Sequence, residues 1–180
     1  RAGLRVTLLE AETLACGSSA RCAGMLSLTG RMMLEKLERQ RGVEAAGAYV
    51  RSQMAAFGAI RSMALEAEDG LGWQDADARI LTAGKADRLM AEADALRRAG
   101  AAAEAGSATH APLPAAGEMV IRNMACLDPM RYFHRLTLEA VLSGLIIHEH
   151  SRVTALETNM AQTADGVVKA PFVVLATGYP

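Results

Sequence analysis

The feature that most constrains this chain is a short apolar segment near its start that ends in an acid. Residues 4–9 have the sequence Leu-Arg-Val-Thr-Leu-Leu, and Glu10 follows directly. A short apolar run is typical of a strand that is buried on both faces of a parallel sheet. An acid at the carboxyl end of such a strand is where dinucleotide-binding folds hydrogen-bond a ribose hydroxyl. The segment therefore predicts a nucleotide-binding strand with Glu10 as a candidate ribose ligand, although solvated acids at strand ends are also common.

The residues on either side of this segment extend the pattern. Residues 1–3 are predicted to be the last turn of a helix that Gly3 ends in a left-handed conformation. Residues 16–24 are mostly small and predict a loop. The order of helix end, glycine, strand, acid and loop is that of the second half of a βαβ nucleotide-binding unit. We expect the first half, with its glycine-rich turn, to be absent from this chain.

The loop carries groups that suit a phosphate. Small side chains allow backbone N–H groups to approach phosphate oxygens, and Ser18 and Ser19 add hydroxyl donors. Arg21 can offset pyrophosphate charge or face a cofactor ring. Taken alone, the same composition also fits an ordinary turn.

Composition limits the class of protein. The chain has 180 residues, of which 51% are hydrophobic, and its net charge is −1. A chain of this length can form one sizeable core or two small ones. The hydrophobic fraction argues against disorder, and the near-zero net charge argues against a nucleic-acid or anionic-membrane partner. No apolar run approaches the roughly 18 residues of a membrane span, and no signal peptide is evident.

Three cysteines give a further hint about environment. Cys16, Cys22 and Cys126 form no CxxC pair, so no metal site is predicted. An odd count without a secretion signal predicts a reducing, cytoplasmic compartment. We expect three partly buried thiols, the alternative being a reactive Cys22 beside a cofactor.

Two amphipathic helices are predicted in the middle of the chain. One spans residues 43–68 and is closed by the glycines at 70 and 72; its apolar stripe consists of Val43, Ala46, Val50, Met54, Phe57, Ile60 and Ala64. The other spans residues 85–99 and ends at Gly100; its inward residues are Leu89, Met90, Ala93 and Leu96. Trp73 is predicted to be a packing residue.

The remaining elements are short. Strands are predicted at residues 79–83, 118–122, 145–149, 152–157, 167–169 and 172–176, the last of them buried. Residues 101–117 are rich in alanine, glycine and proline and predict a surface connection. Asp128 and Pro129 predict a helix start, and that helix is expected to end near Gly144. A turn is predicted at Asp165 and Gly166.

These elements predict an α/β fold in three parts. Residues 1–72 would be the first part of a nucleotide-binding domain and residues 128–180 its second part. Residues 73–127 would begin an inserted α+β domain. The helix from Asp128 followed by the strand at 145–149 would be a second crossover onto the same sheet.

The order of several motifs resembles one enzyme family. Residues 1–11 and 17–26 are similar to the FAD-dependent oxidoreductases of the D-amino-acid oxidase, glycine oxidase and sarcosine oxidase type. The segments at 127–133, 144–153 and 166–179 follow in the same order, the last containing Ala-Thr-Gly after an apolar run. The resemblance implies an incomplete Rossmann-like FAD-binding domain with part of an inserted substrate domain.

The resemblance also implies positions for FAD along the chain. Glu10 would bind the adenosine ribose with Ala11 beside it, and the backbone of Val153 would meet the adenine. Ser18, Ser19 and Arg21 would lie near the pyrophosphate and ribityl chain. The remaining contacts divide into a flavin-ring set and a phosphate set: Ala23, Gly24, Met25 and Leu26 for the ring, and Ala176, Thr177 and Gly178 for the phosphates.

In this family the flavin takes a hydride from the carbon next to an amine nitrogen, so a small amine or amino acid is the implied substrate. Neither a metal nor a catalytic base is implied. We expect this chain alone to be inactive and to bind FAD weakly or not at all. The alternatives are a non-catalytic fragment, one subunit of a split flavoprotein completed by a partner, and, more weakly, a nicotinamide-dependent dehydrogenase.

Overall fold

The computed structural model describes residues 3–28, 32–108 and 113–178. Its contacts divide the chain into two compact units. Unit 1 comprises the described parts of Arg1–Arg21 and Phe133–Pro180, and unit 2 comprises the described parts of Cys22–Tyr132. The predicted helix end at Arg1 and Ala2 lies outside the described residues, whereas Gly3 has the expected left-handed φ of 73°.

The described residues form four α-helices and nine strands. The helices are α1 (Leu34–Arg41), α2 (Val43–Glu66), α3 (Asp87–Arg98) and α4 (Pro129–Leu142). The strands are β1 (Thr7–Leu9), β2 (Met25–Leu26), β3 (Gln74–Thr82), β4 (Ala103–Gly106), β5 (Gly117–Cys126), β6 (Ile146–His148), β7 (Ala155–Glu157), β8 (Met160–Gln162) and β9 (Val167–Lys169). Parallel and antiparallel pairs both occur, so the predicted α/β class is confirmed.

Unit 1 contains a parallel pair and a small antiparallel sheet. Strands β1 and β6 are parallel, with Thr7 opposite Ile146 and Leu9 opposite His148. Strands β7, β8 and β9 form an antiparallel meander. The predicted turn before β9 is confirmed, since the N–H of Thr163 donates to the carbonyl of Gly166 at 2.8 Å.

Unit 2 holds a four-stranded antiparallel sheet and the hydrophobic core. Strand β5 is central: β2 and β3 pair with it, and β4 pairs with it as well. The cluster of fully buried apolar side chains draws on α1, α2, α3 and the sheet, and includes Leu34, Val50, Leu89, Leu96, Met119 and Ile121. Every member of this cluster lies in unit 2.

Helices α2 and α3 confirm the predicted periodicity with instructive exceptions. Met54 is 40% exposed because a row of i, i+4 positions drifts by about 40° per step around the helix. Val43, the first residue of α2, is 54% exposed. Met90 is 50% exposed since it lies about 100° from the stripe that carries Leu89. Helix α1 was not among the predicted elements.

The predicted start and stop of α4 are confirmed. The Oδ1 atom of Asp128 accepts the N–H of Met130 at 2.9 Å and that of Arg131 at 3.3 Å. Pro129 is the first helical residue. Gly144 follows the helix with a φ of 96°, which a residue with a side chain rarely adopts.

Three predictions about local structure are wrong. Residues 172–176 form no strand and are exposed, Phe172 at 82% and Val174 at 86%, because none of the described strands forms a ladder with them. The connection at 101–117 contains β4, which pairs with β5 and contacts α3. Cys16 and Cys22 are exposed rather than partly buried, because their loop lies at the surface.

Two other predictions concern a packing side chain and membrane-spanning helices. Trp73 packs edge-on against Phe57 with ring centroids 5.4 Å apart, as its predicted packing role requires. Across the described ranges, no helix has both the length and the apolar character needed to cross a bilayer.

Candidate functional site

Glu10 lies at the carboxyl end of β1, where backbone hydrogen bonds fix it. Its N–H donates to the carbonyl of His148 at 2.9 Å, and its own carbonyl accepts the N–H of Ser151 at 2.7 Å. Its half-buried side chain turns toward the residues that follow it, since Oε1 accepts the N–H of Glu12 at 3.0 Å. One carboxylate oxygen is therefore engaged locally, and the other has no partner among the described residues.

The segment after Glu10 is bonded to the segment after β6. The N–H of His150 donates to the carbonyl of Glu12 at 2.8 Å, and Arg152 forms an ion pair with the Glu12 carboxylate at 3.0 Å. The Oε1 atom of Glu149 accepts the N–H of Leu14 at 2.6 Å. The sequence did not reveal these partners, because the two segments are more than 130 positions apart.

The small-residue loop forms compact turns. The N–H of Ala20 donates to the carbonyl of Ala15 at 3.0 Å, and the N–H of Arg21 donates to that of Ser18 at 3.2 Å. Ser19 begins a short 3-10 turn that ends at Arg21. Ser18 and Arg21 are exposed and Ser19 is half-buried. Within the described part of the chain, these three side chains make no hydrogen bond or ion pair.

The other unit 1 residues of the predicted site lie further along the chain. Val153 is 41% exposed and directly follows the segment that is bonded to residues 10–14. Ala176, Thr177 and Gly178 are exposed. No hydrogen bond between described residues joins residues 176–178 to Glu10. Gly178 has a φ of 73° and open space around its Cα.

The flavin-ring set lies in unit 2. The N–H of Leu127 donates to the carbonyl of Gly24 at 3.0 Å, and β2 pairs Met25 with Cys126 and Leu26 with Ala125. A Cβ on Gly24 would lie 2.0 Å from the carbonyl oxygen of Leu127. Ala23 is exposed, and Met25 is 61% exposed beside this tightly held glycine.

The donor set in these segments fits FAD by its chemistry. A carboxylate accepts from ribose hydroxyls, whereas hydroxyls, a guanidinium and small-residue backbone suit a pyrophosphate. These are the groups of Glu10 and of the loop that contains Ser18, Ser19 and Arg21. A metal-binding alternative has no support in the described ranges, where no group of three His, Cys, Asp or Glu residues could hold an ion.

Comparisons with known proteins identify similar chains. The family model described as FAD dependent oxidoreductase matches residues 1–179. A Bacillus subtilis (strain 168) protein, provisionally named Rieske 2Fe-2S iron-sulfur protein YhfW, is 23% identical over 186 residues, which cover 99% of this chain and 36% of that protein.

Solved structures show the same fold. Glycine oxidase from Geobacillus kaustophilus matches with a TM-score of 0.69 at 20% identity, covering 96% of this chain and 48% of its own. L-proline dehydrogenase from P. horikoshii matches with a TM-score of 0.68 at 15% identity, covering 97% and 46%. The chain thus spans about half of these structures and about a third of the curated relative.

Proposed function

We propose, since the chain belongs to the family of FAD dependent oxidoreductases, that it forms part of a flavoenzyme that oxidises the C–N bond of an amine or amino acid. The observation that carries the proposal is the family match over residues 1–179. Bound FAD would supply the acceptor for a hydride from the carbon next to the amine nitrogen. The chain's own residues would hold and orient that cofactor.

The adenosine end of FAD would lie against unit 1. One Glu10 carboxylate oxygen has no partner among the described residues. It would accept hydrogen bonds from the ribose hydroxyls, with Ala11 beside them. The backbone of Val153 would meet the adenine. Support comes from the hydrogen bonds that hold Glu10 between His148 and Ser151, because a fixed acid loses little freedom on binding.

The phosphate contacts are proposed for two exposed segments of unit 1. Ser18, Ser19 and Arg21 would donate to the pyrophosphate and ribityl oxygens. Residues 176–178 would pack against the phosphate region, where the left-handed Gly178 leaves its backbone open to a ligand. The support is that the three donor side chains are unengaged among the described residues.

The flavin ring would pass close to Ala23, Gly24, Met25 and Leu26. Their role would be to shape a surface for the ring, because none of these side chains carries a titratable group. Gly24 would matter through its close approach to Leu127, which sets the course of β2. These assignments concern binding, and no residue is assigned to the chemical step.

The domain roles are part of the same proposal. Residues 1–72 and 128–180 would contribute to the FAD-binding domain, and residues 73–127 would begin the substrate domain. A small amino acid or amine is the proposed substrate class. The matched solved structures are named for glycine and L-proline, although a likeness at 20% and 15% identity establishes only the shared fold. A cytoplasmic location is also proposed, from the odd number of cysteines.

A second candidate is a non-catalytic flavoprotein part, or one subunit that another polypeptide completes. The specific observation is the apolar surface of unit 1, where Leu4 is 71%, Ile146 55% and Leu175 70% exposed. Parallel strands are ordinarily covered on both faces. A covering polypeptide would therefore bury these side chains and supply a glycine-rich βα turn for the pyrophosphate.

The test expresses the complete reading frame that contains this chain and records its visible spectrum without oxygen. A panel of glycine, sarcosine and proline is then added. Bleaching of bound flavin by at least one amine supports the proposed oxidation of an amine C–N bond. A flavin-loaded protein that none of the amines bleaches would overturn it. If bleaching occurs only when a separately encoded polypeptide with the glycine-rich βα turn is added, the chain is one subunit of a split flavoprotein, as in the second candidate.

A further inference from the structure

Glu149 makes an unusual long-range contact near the predicted ribose ligand. Its Oε1 atom accepts the backbone N–H of Leu14 at 2.6 Å. Leu14 lies four residues after Glu10, whereas Glu149 directly follows β6. Hydrogen bonds from an N–H to a carboxylate are shorter and stronger than those to a neutral acceptor. The contact therefore ties the start of the small-residue loop to the end of the neighbouring strand.

Two kinds of bond hold residues 10–14 in place, and they differ in how they can be removed. The backbone bonds from Glu10 to His148 and from His150 to Glu12 survive any change of side chain. The contact between Glu149 and Leu14 depends on a side chain, as does the ion pair between Arg152 and Glu12. The Glu149 carboxylate is therefore the group that fixes the far end of this segment.

Residues beyond Leu14 depend on where that end is placed. Ala15 has a φ of 61° and accepts the N–H of Ala20, so the turn that contains Ser18 and Ser19 begins at the residue after Leu14. A shift of Leu14 would displace this turn, whereas the Glu12 N–H that orients the Glu10 carboxylate stays in place because the Glu12 carbonyl is bonded to His150. One contact thus controls the position of the loop that would receive the phosphates in unit 1.

We propose that Glu149 is a positioning residue for the loop that would receive the phosphates of the cofactor. It would act through Leu14 and would not touch the ligand itself. The inference rests on the proposed function, because it assumes that Glu10 and the loop after Leu14 receive FAD. The chemistry of this site would favour any ligand with a ribose and a diphosphate, and ADP is the simplest probe.

The experiment compares four variants of the full chain with the original. Glu149→Ala removes the acceptor. Glu149→Asp keeps the charge but shortens the reach, and Glu149→Gln keeps the reach and an acceptor oxygen without the charge. Glu157→Ala is the matched control, since Glu157 is an exposed acid of unit 1 whose side chain makes no hydrogen bond or ion pair to the described residues.

The first measurement is hydrogen exchange at the Leu14 amide, followed by NMR. We expect exchange to be about tenfold faster in Glu149→Ala and Glu149→Asp, close to the original in Glu149→Gln, and unchanged in Glu157→Ala. Dispersed amide spectra establish that each variant is folded. Unchanged Leu14 exchange in the alanine variant would overturn the proposal. If that variant does not fold, the aspartate variant decides in the same way.

The second measurement is an NMR titration with ADP. Affinity is expected to fall about fivefold in Glu149→Ala and Glu149→Asp, with recovery in Glu149→Gln. Equal affinity in all variants would overturn the positioning role while leaving the proposed function intact. If the original chain binds neither ADP nor FAD, the positioning role fails, whereas the proposed function keeps its own test, which is the bleaching of flavin in the complete reading frame.

Discussion

The carboxylate of Glu92 on α3 accepts the backbone N–H of Leu34 at 2.9 Å and that of Glu35 at 2.8 Å. It is 1% exposed, so a buried acid on one helix caps the start of another. Met33, the residue before α1, offers no capping side chain of its own. The first N–H groups of a helix need acceptors, and here Glu92 supplies them from a position 58 residues later.

Replacing Glu92 should destabilise unit 2 by more than the size of the Glu92 side chain suggests. Glu92→Ala leaves two helix N–H groups without an acceptor, one of them buried, and we expect a loss of about 3 kcal/mol in the free energy of unfolding. Glu92→Gln keeps one acceptor oxygen, so about 2 kcal/mol is expected. Urea unfolding followed by circular dichroism measures both.

The control for this prediction is Glu66→Ala, which removes an exposed acid at the end of α2. It should change the unfolding free energy by no more than about 0.5 kcal/mol. Equal effects at the two positions would show that the Glu92 cap contributes nothing specific.

Gly24 should tolerate no side chain. Gly24→Ala would place a Cβ 2.0 Å from the carbonyl oxygen of Leu127 and force alanine into a φ of 68°. We expect a loss of at least about 3 kcal/mol in the free energy of unfolding. The matched change is Gly58→Ala within α2, where a Cβ meets open space; it should gain about 1 kcal/mol. Thermal unfolding of the two variants should therefore shift in opposite directions.

Asp77 on β3 should titrate below its ordinary range. The Arg122 guanidinium lies 2.7 Å from its carboxylate, and this hydrogen bond holds the pKa of Asp77 below the usual 3.8. A lowered pKa means that the pair stabilises the fold fully above about pH 3.8 and that this contribution disappears as the pH falls through the lowered pKa. Carboxyl NMR titration gives the value directly.

The variant that checks the cause is Arg122→Gln, in which the pKa of Asp77 should rise toward 3.8. Arg88 is an exposed arginine on α3, outside the pair of Asp77 and Arg122, and Arg88→Gln should leave the pKa of Asp77 unchanged. An unchanged Asp77 pKa in Arg122→Gln would show that another group is responsible.

The elements that the sequence predicted best are those with local causes. Asp128 and Pro129 start α4 because the capping carboxylate and the helix are adjacent in the chain. The stripes of α2 and α3 follow from helical spacing alone. The segment predicted as a buried strand before Glu10 is confirmed only in part, since only Thr7–Leu9 pairs with β6 and Leu4 and Val6 are exposed.

The features that the sequence concealed depend on distant partners. An acid at position 92 suits a solvated helix face, and its burial follows only from the position of α1. The alanines of β4 have low strand propensity, yet pairing with β5 overrides it. The apolar run at 172–176 has high propensity but no ladder partner among the described residues. The contact of Glu149 with Leu14 is likewise invisible to any local pattern.

The most direct test of the account is an NMR titration of the full chain with FAD, alongside Glu10→Ala. We expect any shifts at the amides of Glu10, Ala11 and Val153 to be weak and saturable and to be lost in the variant. A folded chain that binds FAD tightly, or in which FAD shifts these amides equally in Glu10→Ala, would contradict it.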